Sequence, residues 1–539
     1  MSGHPQTLSP LEVLRLYPAH GGTLNSLLAS RASVDPQRPF LWFQGRTISY
    51  AQALQQVART SAMLWARGVR AGDRIGVMST NHPSTVFLLL GAARLGAVMV
   101  GVNPDYGVNE AQYVLDHAQV CGVLCSPQAL PTARQACAQA GREPWFMVNE
   151  PGDGSCPLFD DELAGAPEAD IEGGEDPDAT CIFIYTSGTT GFPKGVMHSQ
   201  RNVVMAGEGF VERMHLQPQD RLLCILPMFH VNAICYSFGG TLAAGATLVL
   251  EPRFSASRFW QVARDSQATE VNTIAAATGI LMRRPRSEFV GGHRLKKMYG
   301  GPFSQEVYRV FQQEFHVAEL IEGYGMSEIP GVLNNPYGGP YKIGSMGRPS
   351  RHPDPGIAFS QMRVVDEQGV PVPDGEAGEL EVRTPILMQG YYRDPQQTAA
   401  AFHDGWFVTG DLGRRDAEGY FWFIARKKDI IRRRGENISG AELDAVVNMH
   451  PDVVNSAAVP VPSELGEDDI LMLVVPRAGA NITAQDIAAW CRERLAPYKV
   501  PRYVAMRSEL PLTPTHRVAK YKLRAEPGLM DGAVDLQGG

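Results

Sequence analysis

Ile184-Tyr185-Thr186-Ser187-Gly188-Thr189-Thr190-Gly191-Phe192-Pro193-Lys194-Gly195-Val196 decides how the rest of this chain is read. The run that leads into it, Cys181-Ile182-Phe183-Ile184-Tyr185, is apolar and partly β-branched and predicts a buried strand. The strand empties into a loop of three glycines, four hydroxyls, one proline and one lysine. Glycines allow positive φ and let an anion reach backbone N–H groups with no Cβ in the way. Thr186, Ser187, Thr189 and Thr190 add hydroxyl donors, and Lys194 adds a mobile positive charge. Such a stretch can also do no more than turn the chain. The density of hydroxyls beside a lysine favours a phosphate cradle. It is not the GxxxxGK[ST] loop, because Phe192 and Pro193 separate Gly191 from Lys194 and no hydroxyl follows the lysine.

Tyr185 to Gly195 resembles the phosphate loop of the adenylate-forming superfamily, which comprises acyl- and aryl-CoA synthetases, beetle luciferases and peptide-synthetase adenylation domains. The resemblance implies that Thr186, Ser187, Gly188, Thr189, Thr190, Gly191 and Lys194 hold the phosphates of ATP.

At 539 residues the chain is too long for one ordinary core, so two or more domains are expected. Apolar content of 44% with 20% charged residues is that of a globular protein. A net charge of −8 argues against a nucleic-acid-binding surface. The eight cysteines are scattered with no metal-site spacing, and the N-terminus lacks a basic and apolar leader pattern. A reduced, cytoplasmic setting fits both. Val86 to Val102 comes nearest to a membrane span, but Arg94 and three glycines interrupt it, so a buried helix followed by a buried strand is expected.

Upstream of the loop, helical and strand patterns alternate. A hairpin over Leu41 to Tyr50 precedes a helix from Tyr50 to Arg67, then strands at Ile75–Met78, Ala97–Val102, Val120–Cys125 and Trp145–Val148, with helices between them. That order implies a parallel sheet with crossover helices. Beyond the loop, Arg221 to Leu226 and Glu270 to Ala276 read as strands. Turn-punctuated runs at Met362–Asp366 and Gly378–Arg383 predict antiparallel β structure, a small barrel-like subdomain. After Ala425 the texture changes again to a compact α+β segment. The expected fold class is therefore α/β: a large multi-layer N-terminal domain over 1–425 and a small α+β domain over 426–539.

Three further clusters carry chemistry. Gly300-Gly301-Pro302 at a strand end permits the close approach of a flat purine edge. In Ile321-Glu322-Gly323-Tyr324-Gly325-Met326-Ser327-Glu328, the tyrosine suits an adenine face, the hydroxyl a phosphate and the carboxylate a Mg²⁺ ion. A plain turn with an exposed acid remains the alternative on residue types alone. Thr409-Gly410-Asp411 could be an Asx turn or a ribose acceptor. The order and spacing of all three match the superfamily, which implies nucleotide contacts for Gly300, Gly301, Pro302, Glu322, Gly323, Tyr324, Gly325 and Asp411, and metal binding for Glu328. Phe229-His230 matches a family position bordering the acyl pocket, although a histidine at a strand end is by default satisfied by backbone.

Between Arg426 and Arg433 five of eight residues are basic, a pattern that is ordinarily a solvated face. The resemblance makes it a hinge, with Arg426 on the ribose and Lys428 at the pivot. Gly435-Glu436-Asn437 would then face the pantetheine of coenzyme A. Ser439 is the expected N-cap of the next helix, with Glu442 completing a capping box. Lys499, Arg502 and Arg507 could meet the phosphates of coenzyme A or simply be surface.

One departure stands out. Where relatives carry Gly-Lys near the end, with that lysine catalytic, this chain reads His516-Arg517, and Lys520 follows three residues on. Arg517 keeps the charge with a bulkier, planar head and takes the role in this reading; Lys520 could do so only along another loop path. The implied activity is ligation of a small-molecule carboxylic acid to coenzyme A at the expense of ATP, with Mg²⁺. Transfer to a carrier-protein thiol, or a binding protein that has lost turnover, are the rivals. A homodimer is compatible with the reading, and no transmembrane segment or nucleic-acid partner is expected.

Overall fold

The computed structural model describes residues 7–169, 171, 173–186, 193–433, 436–463, 467–513 and 518–536. The chain divides into two compact units. The first runs up to Thr186 and continues through Pro193–Met362 and Val382–Trp406; the second takes Arg363–Glu381 and the described residues from Phe407 onward. The architecture is mixed α/β, a large N-terminal part followed by a smaller C-terminal part.

Two sheets build the first unit. One has seven strands in the order Gly390–Tyr391, Lys194–Ser199, Thr180–Thr186, Val98–Gly101, Arg74–Met78, Gly122–Cys125, Trp145–Val148. From Thr180–Thr186 to Trp145–Val148 the pairing is parallel, as the alternating pattern predicts. Lys194–Ser199 and Gly390–Tyr391 then add antiparallel strands at one edge. The second sheet has nine strands; its central ladder runs parallel through Glu319–Met326, Lys297–Gly300, Glu270–Asn272, Arg221–Cys224, Thr247–Leu250 and Pro39–Phe43.

Helices cover these sheets. Tyr50–Ala66 starts where a capping box forms, with the Ser49 side chain accepting from the Gln52 N–H and the Gln52 side chain returning to Ser49. Pro83–Arg94 is buried nearly all round and is followed by the buried strand Val98–Gly101, so the most hydrophobic stretch of the chain is core. Helices Gln200–Met214 and Gly239–Ala244 touch backbone to backbone: a Cβ on Gly207 would stand 2.3 Å from the Gly239 carbonyl. Among the described residues no helix is long and apolar enough to cross a membrane.

One strand is shorter than expected. Glu270–Asn272 ends after three residues, and Ala275–Arg283 is helical. Alanine has the best helix propensity, and the Ala275-Ala276-Ala277 run followed by Leu281 and Met282 outweighs the β-branched Val271, Thr273 and Ile274.

The second unit contains the expected antiparallel strands, Gln361–Val365, Ala377–Arg383, Trp406–Arg415 and Phe421–Arg426, most of whose residues belong to it. Its C-terminal part is a four-stranded sheet in the order Val453–Pro462, Asp468–Pro476, Tyr503–Met506, Val534–Asp535, packed with helices Gly440–Asn448 and Ala484–Arg492. Ser439 caps the first of these helices, accepting from the Glu442 N–H. The Glu442 carboxylate does not complete a capping box as expected. It pairs with Lys499 Nζ at 2.7 Å, because a full positive charge outcompetes a backbone amide.

Candidate active site

Strand register brings the described ends of the phosphate loop together. Thr186 pairs directly with Lys194, and Val196, two residues further, pairs with both Ile184 and Tyr391. Partnered residues in a ladder present their side chains to the same face, and so do residues two apart along a strand. Thr186, Lys194, Tyr391 and His198 therefore share one face of the sheet. The Lys194 ammonium lies 4.5 Å from the centre of the Tyr391 ring, a cation–π contact. Ser187, Gly188, Thr189, Thr190 and Gly191 lie outside the described residues, as do Gly435 and Arg517.

Ser327 and Glu328 form the two-residue turn of a β-hairpin, between Met326 and its partner Ile329. The hairpin is held on that same sheet face. The Tyr391 hydroxyl donates to Glu328 Oε1 at 2.8 Å, and the Met388 N–H donates to the Glu328 carbonyl at 2.8 Å. Burial, then the neighbouring Glu328 charge, pushes the Tyr391 phenol far above its ordinary value, so it stays a donor. His198 Nε2 stands 2.6 Å from the Ser327 carbonyl. Lys194, Ser327 and Glu328, far apart in sequence, are thus brought to one place.

The hairpin's first strand, Glu319–Met326, runs beside Lys297–Gly300, with Gly300 paired to Glu322. Both are parallel strands ending at the same edge, where open α/β sheets bind ligands. Two glycines there are dictated by space: a Cβ on Gly323 would meet the Tyr299 hydroxyl at 2.3 Å, and one on Gly325 the Gly331 nitrogen at 2.4 Å. Gly301 precedes Pro302 through a cis peptide. Glu322 is only 2% exposed, and its carboxylate accepts from the Phe303 N–H at 2.8 Å, the Gly344 N–H at 3.2 Å and the Tyr308 hydroxyl at 3.2 Å. Burial raises its pKa despite those donors. Its contacts bind the Gly300-Gly301-Pro302 turn to the strand. Tyr324 is half-buried in the same strand, paired with Leu333.

Behind the hairpin lies a residue that sequence reading misses. Arg213, 2% exposed, donates through Nη2 to the Gly331 carbonyl, and its guanidinium lies 5.1 Å from the Tyr299 ring centre, 5.2 Å from Tyr236 and 5.6 Å from Phe210. Gly331 has φ +68 and no room for a Cβ beside the guanidinium. No local signal distinguishes this arginine from a surface one. Tyr391 and His198 were missed for the same reason.

His230 begins the segment that becomes the π-helix Asn232–Phe238, a rare geometry that recurs at functional sites. Burial lowers its pKa to about 4, and its Nε2 is buried without a hydrogen-bond partner among the described residues, as is Asn232 Oδ1. The Phe229 ring lies 4.4 Å from the His230 ring, and the Phe229 backbone leans on Gly101, where a Cβ would come within 2.9 Å.

In the second unit, Asp411 and Arg426 face each other across the strand pair Trp406–Arg415 and Phe421–Arg426, with Arg426 Nε 3.0 Å from Asp411 Oδ1. Asp411 is buried and its N–H donates to Thr409 Oγ1 at 3.1 Å. Lys520 forms an ion pair with the half-buried Asp444 at 2.6 Å. Lys499 is held by Glu442, Arg502 by Asp469 and Asp535, and Arg507 by Glu526. Among the described residues no group of three or more His, Cys, Asp or Glu is placed to hold a metal. A single carboxylate such as Glu328 suits Mg²⁺, which takes one or two protein carboxylates and otherwise phosphate oxygens and water.

Residues 28–392 match the model of the AMP-binding enzyme family, and 442–517 match the AMP-binding enzyme C-terminal domain. The chain belongs to the AMP-binding enzymes. It is 33% identical over 509 residues to a sulfoacetate–CoA ligase of Cupriavidus necator, covering 93% of this chain and 97% of that one. Over 493 residues it is 29% identical to a crotonobetaine/carnitine–CoA ligase of Salmonella enteritidis, covering 89% and 93%. ATP-bound MatB from Rhodopseudomonas palustris has the same fold, with a TM-score of 0.81 at 28% identity over 93% of this chain and 98% of the other. As an adenylate-forming AMP-binding enzyme, the protein is an AMP-forming acid–CoA ligase, with ATP and coenzyme A as substrates.

Proposed function

We propose that this AMP-binding enzyme activates a short carboxylic acid carrying a polar group and passes it to coenzyme A in two steps. In the first, a carboxylate oxygen attacks the α-phosphorus of ATP, the bond from that phosphorus to the bridging oxygen breaks, and pyrophosphate leaves with the electron pair. Two anions must be held in line while charge spreads over the phosphoryl oxygens, so the protein's task is positioning and electrostatic stabilisation. Thr186, Lys194 and the hydroxyl-rich loop between them hold the phosphates, and Ser327 donates to the α-phosphate. Glu328 holds Mg²⁺, which when bound neutralises phosphate charge. Gly300, Gly301, Pro302, Gly323, Tyr324 and Gly325 form the nucleoside face, with Glu322 fixing its shape from behind. Asp411 accepts from the ribose hydroxyls beside Arg426. Arg517 supplies the charge that relatives take from lysine.

In the second step the thiolate of coenzyme A attacks the acyl carbon, AMP leaves with the bonding pair, and the thiol proton passes to solvent. Residues 426–539 serve as the mobile domain that exchanges the Arg517 loop for the Gly435 loop between the steps. Lys499, Arg502 and Arg507 each have an acidic partner, with which the phosphates of coenzyme A would have to compete.

The observation that carries the reading is the chain of contacts Lys194–Tyr391–Glu328, which joins the phosphate loop to the acid expected at the metal. The polar acyl group is supported by His230 Nε2 and Asn232 Oδ1, buried polar atoms that a purely hydrocarbon chain would leave unpaired. The relatives' sulfoacetate and carnitine are short polar acids of this kind. Pyrophosphate and AMP release should be measured over a panel of sulfonated, dicarboxylic, betaine, fatty and aryl acids with ATP, Mg²⁺ and coenzyme A. A short polar acid is expected to give the highest kcat/KM. Failure of every acid to release pyrophosphate overturns the proposal, and a long fatty acid as the best substrate overturns the polar-acid part.

A further inference from the structure

His198 sits on the first strand after the phosphate loop, in a buried place that suits an apolar residue. It is fully buried and paired in register with Ile182, next to the Val196–Ile184 pair. Its Nε2 lies 2.6 Å from the Ser327 carbonyl oxygen, 129 residues away in sequence. A carbonyl only accepts, so the ring proton must be on Nε2 and the lone pair on Nδ1. That Nδ1 is buried with no hydrogen-bond partner among the described residues. Leaving a buried acceptor unpaired costs stability, and a leucine or valine here would avoid the cost. Burial also depresses the imidazole pKa to about 4, so the ring is a neutral donor at physiological pH. What the histidine contributes is its single bond to the Ser327 carbonyl.

We propose that His198 is a positioning residue for adenylation: through the Ser327 carbonyl it locks the Ser327–Glu328 turn to the strand that carries Lys194. The proposal rests on the reading of Ser327 and Glu328 as nucleotide-facing groups. Each residue of the turn has its own tether, since Glu328 is held by the Met388 N–H and the Tyr391 hydroxyl. His198 supplies the tether at Ser327. Lys194 and His198 lie four residues apart on one strand, with side chains on one face. One rigid strand therefore sets the distance between the phosphate loop and the turn. Misplacement of reacting groups by about 1 Å can cost on the order of a hundred-fold in rate.

The test compares His198→Leu, which removes the donor and fills the space, with His198→Gln, whose amide can still donate. Hydrogen exchange at the Ser327, Glu328 and Ile329 amides should rise in H198L and stay near wild type in H198Q, while the melting temperature of H198L is equal or higher. With an active acid, kcat for pyrophosphate release should fall about ten-fold in H198L with KM for the acid little changed, and H198Q should recover most of it. Unchanged exchange in H198L overturns the proposal whatever the activity. An equal defect in H198Q does so too, because it would show that shape rather than the hydrogen bond matters. A wild-type protein that adenylates no acid counts against the function above, and the exchange comparison still decides the lock.

Discussion

Tyr391 donates its phenolic proton to Glu328 at 2.8 Å while its ring carries the Lys194 ammonium on one face. One side chain thus touches both the end of the phosphate loop and the acid expected to hold the metal. Tyr391→Phe keeps the ring, and with it the lysine contact, but removes the hydroxyl. A hydrogen bond to a charged group contributes about 1.5–3 kcal/mol, so adenylation should fall roughly ten- to a hundred-fold and the Mg²⁺ concentration for half-maximal rate should rise. A magnesium titration of pyrophosphate release checks both; an unchanged titration curve would show that Glu328 is oriented without the phenol.

Glu322 separates a nucleotide contact from a structural one. Glu322→Ala takes the acceptor from the buried Phe303 N–H and from the Gly344 N–H, and leaves the Tyr308 hydroxyl only the Leu320 carbonyl. A loss of about 3 kcal/mol is expected, read from the urea midpoint, with Glu322→Gln intermediate. If AMP affinity dropped while the midpoint held, the carboxylate would be meeting the nucleotide directly.

For the C-terminal loop the two basic candidates divide cleanly. Lys520 is the counter-ion of Asp444, which is buried enough that its pKa is raised despite the lysine. Lys520→Ala should cost about 3 kcal/mol of stability by stranding that acid, with little change in the chemical step of the protein that remains folded. Arg517→Lys should speed adenylation without altering thioester formation from a supplied acyl-AMP. A faster first step on mutating Lys520 instead would reverse the assignment.

Acid should loosen a knot formed by Glu208 and two histidines. His20 Nε2 lies 3.1 Å from Glu208 Oε1 and His352 Nε2 3.2 Å from Oε2; their Nδ1 atoms accept from the Gly22 and Asp354 N–H groups, so both Nε2 atoms donate to the carboxylate. Burial alone would raise the Glu208 pKa, but the two imidazoles outweigh it and bring it from 4.5 to about 2. Because the folded value is the lower one, the stabilisation is complete above the unfolded value of 4.5 and is lost as pH falls toward 2. It amounts to about 3 kcal/mol. Urea unfolding of wild type and Glu208→Gln should therefore differ most near neutral pH, draw together as pH falls below 4.5 and converge as it approaches 2. A gap that stays constant with pH would mean that the carboxylate is not specially held.

The sequence by itself determined the elements and the order of the site. An apolar run between turn residues predicted the strand that leads into the phosphate loop, Ser439 marked the start of a helix, and Gly300-Gly301 marked a strand end, because backbone periodicity, capping and turn chemistry act within a few residues. Even locally, competition decided one case: the Ala275–Arg283 segment turned helical where β-branched neighbours suggested a strand. Only the tertiary structure decided which distant groups meet. Tyr391 reaches Glu328 across 63 residues and His198 reaches Ser327 across 129, because sheet order places their strands on one face. The basic residues Lys499, Arg502 and Arg507 looked available for an anionic substrate until folding supplied each with an acid. A side chain's charge is written in the sequence, but its partner depends on which strands become neighbours, and local periodicity carries no record of that choice.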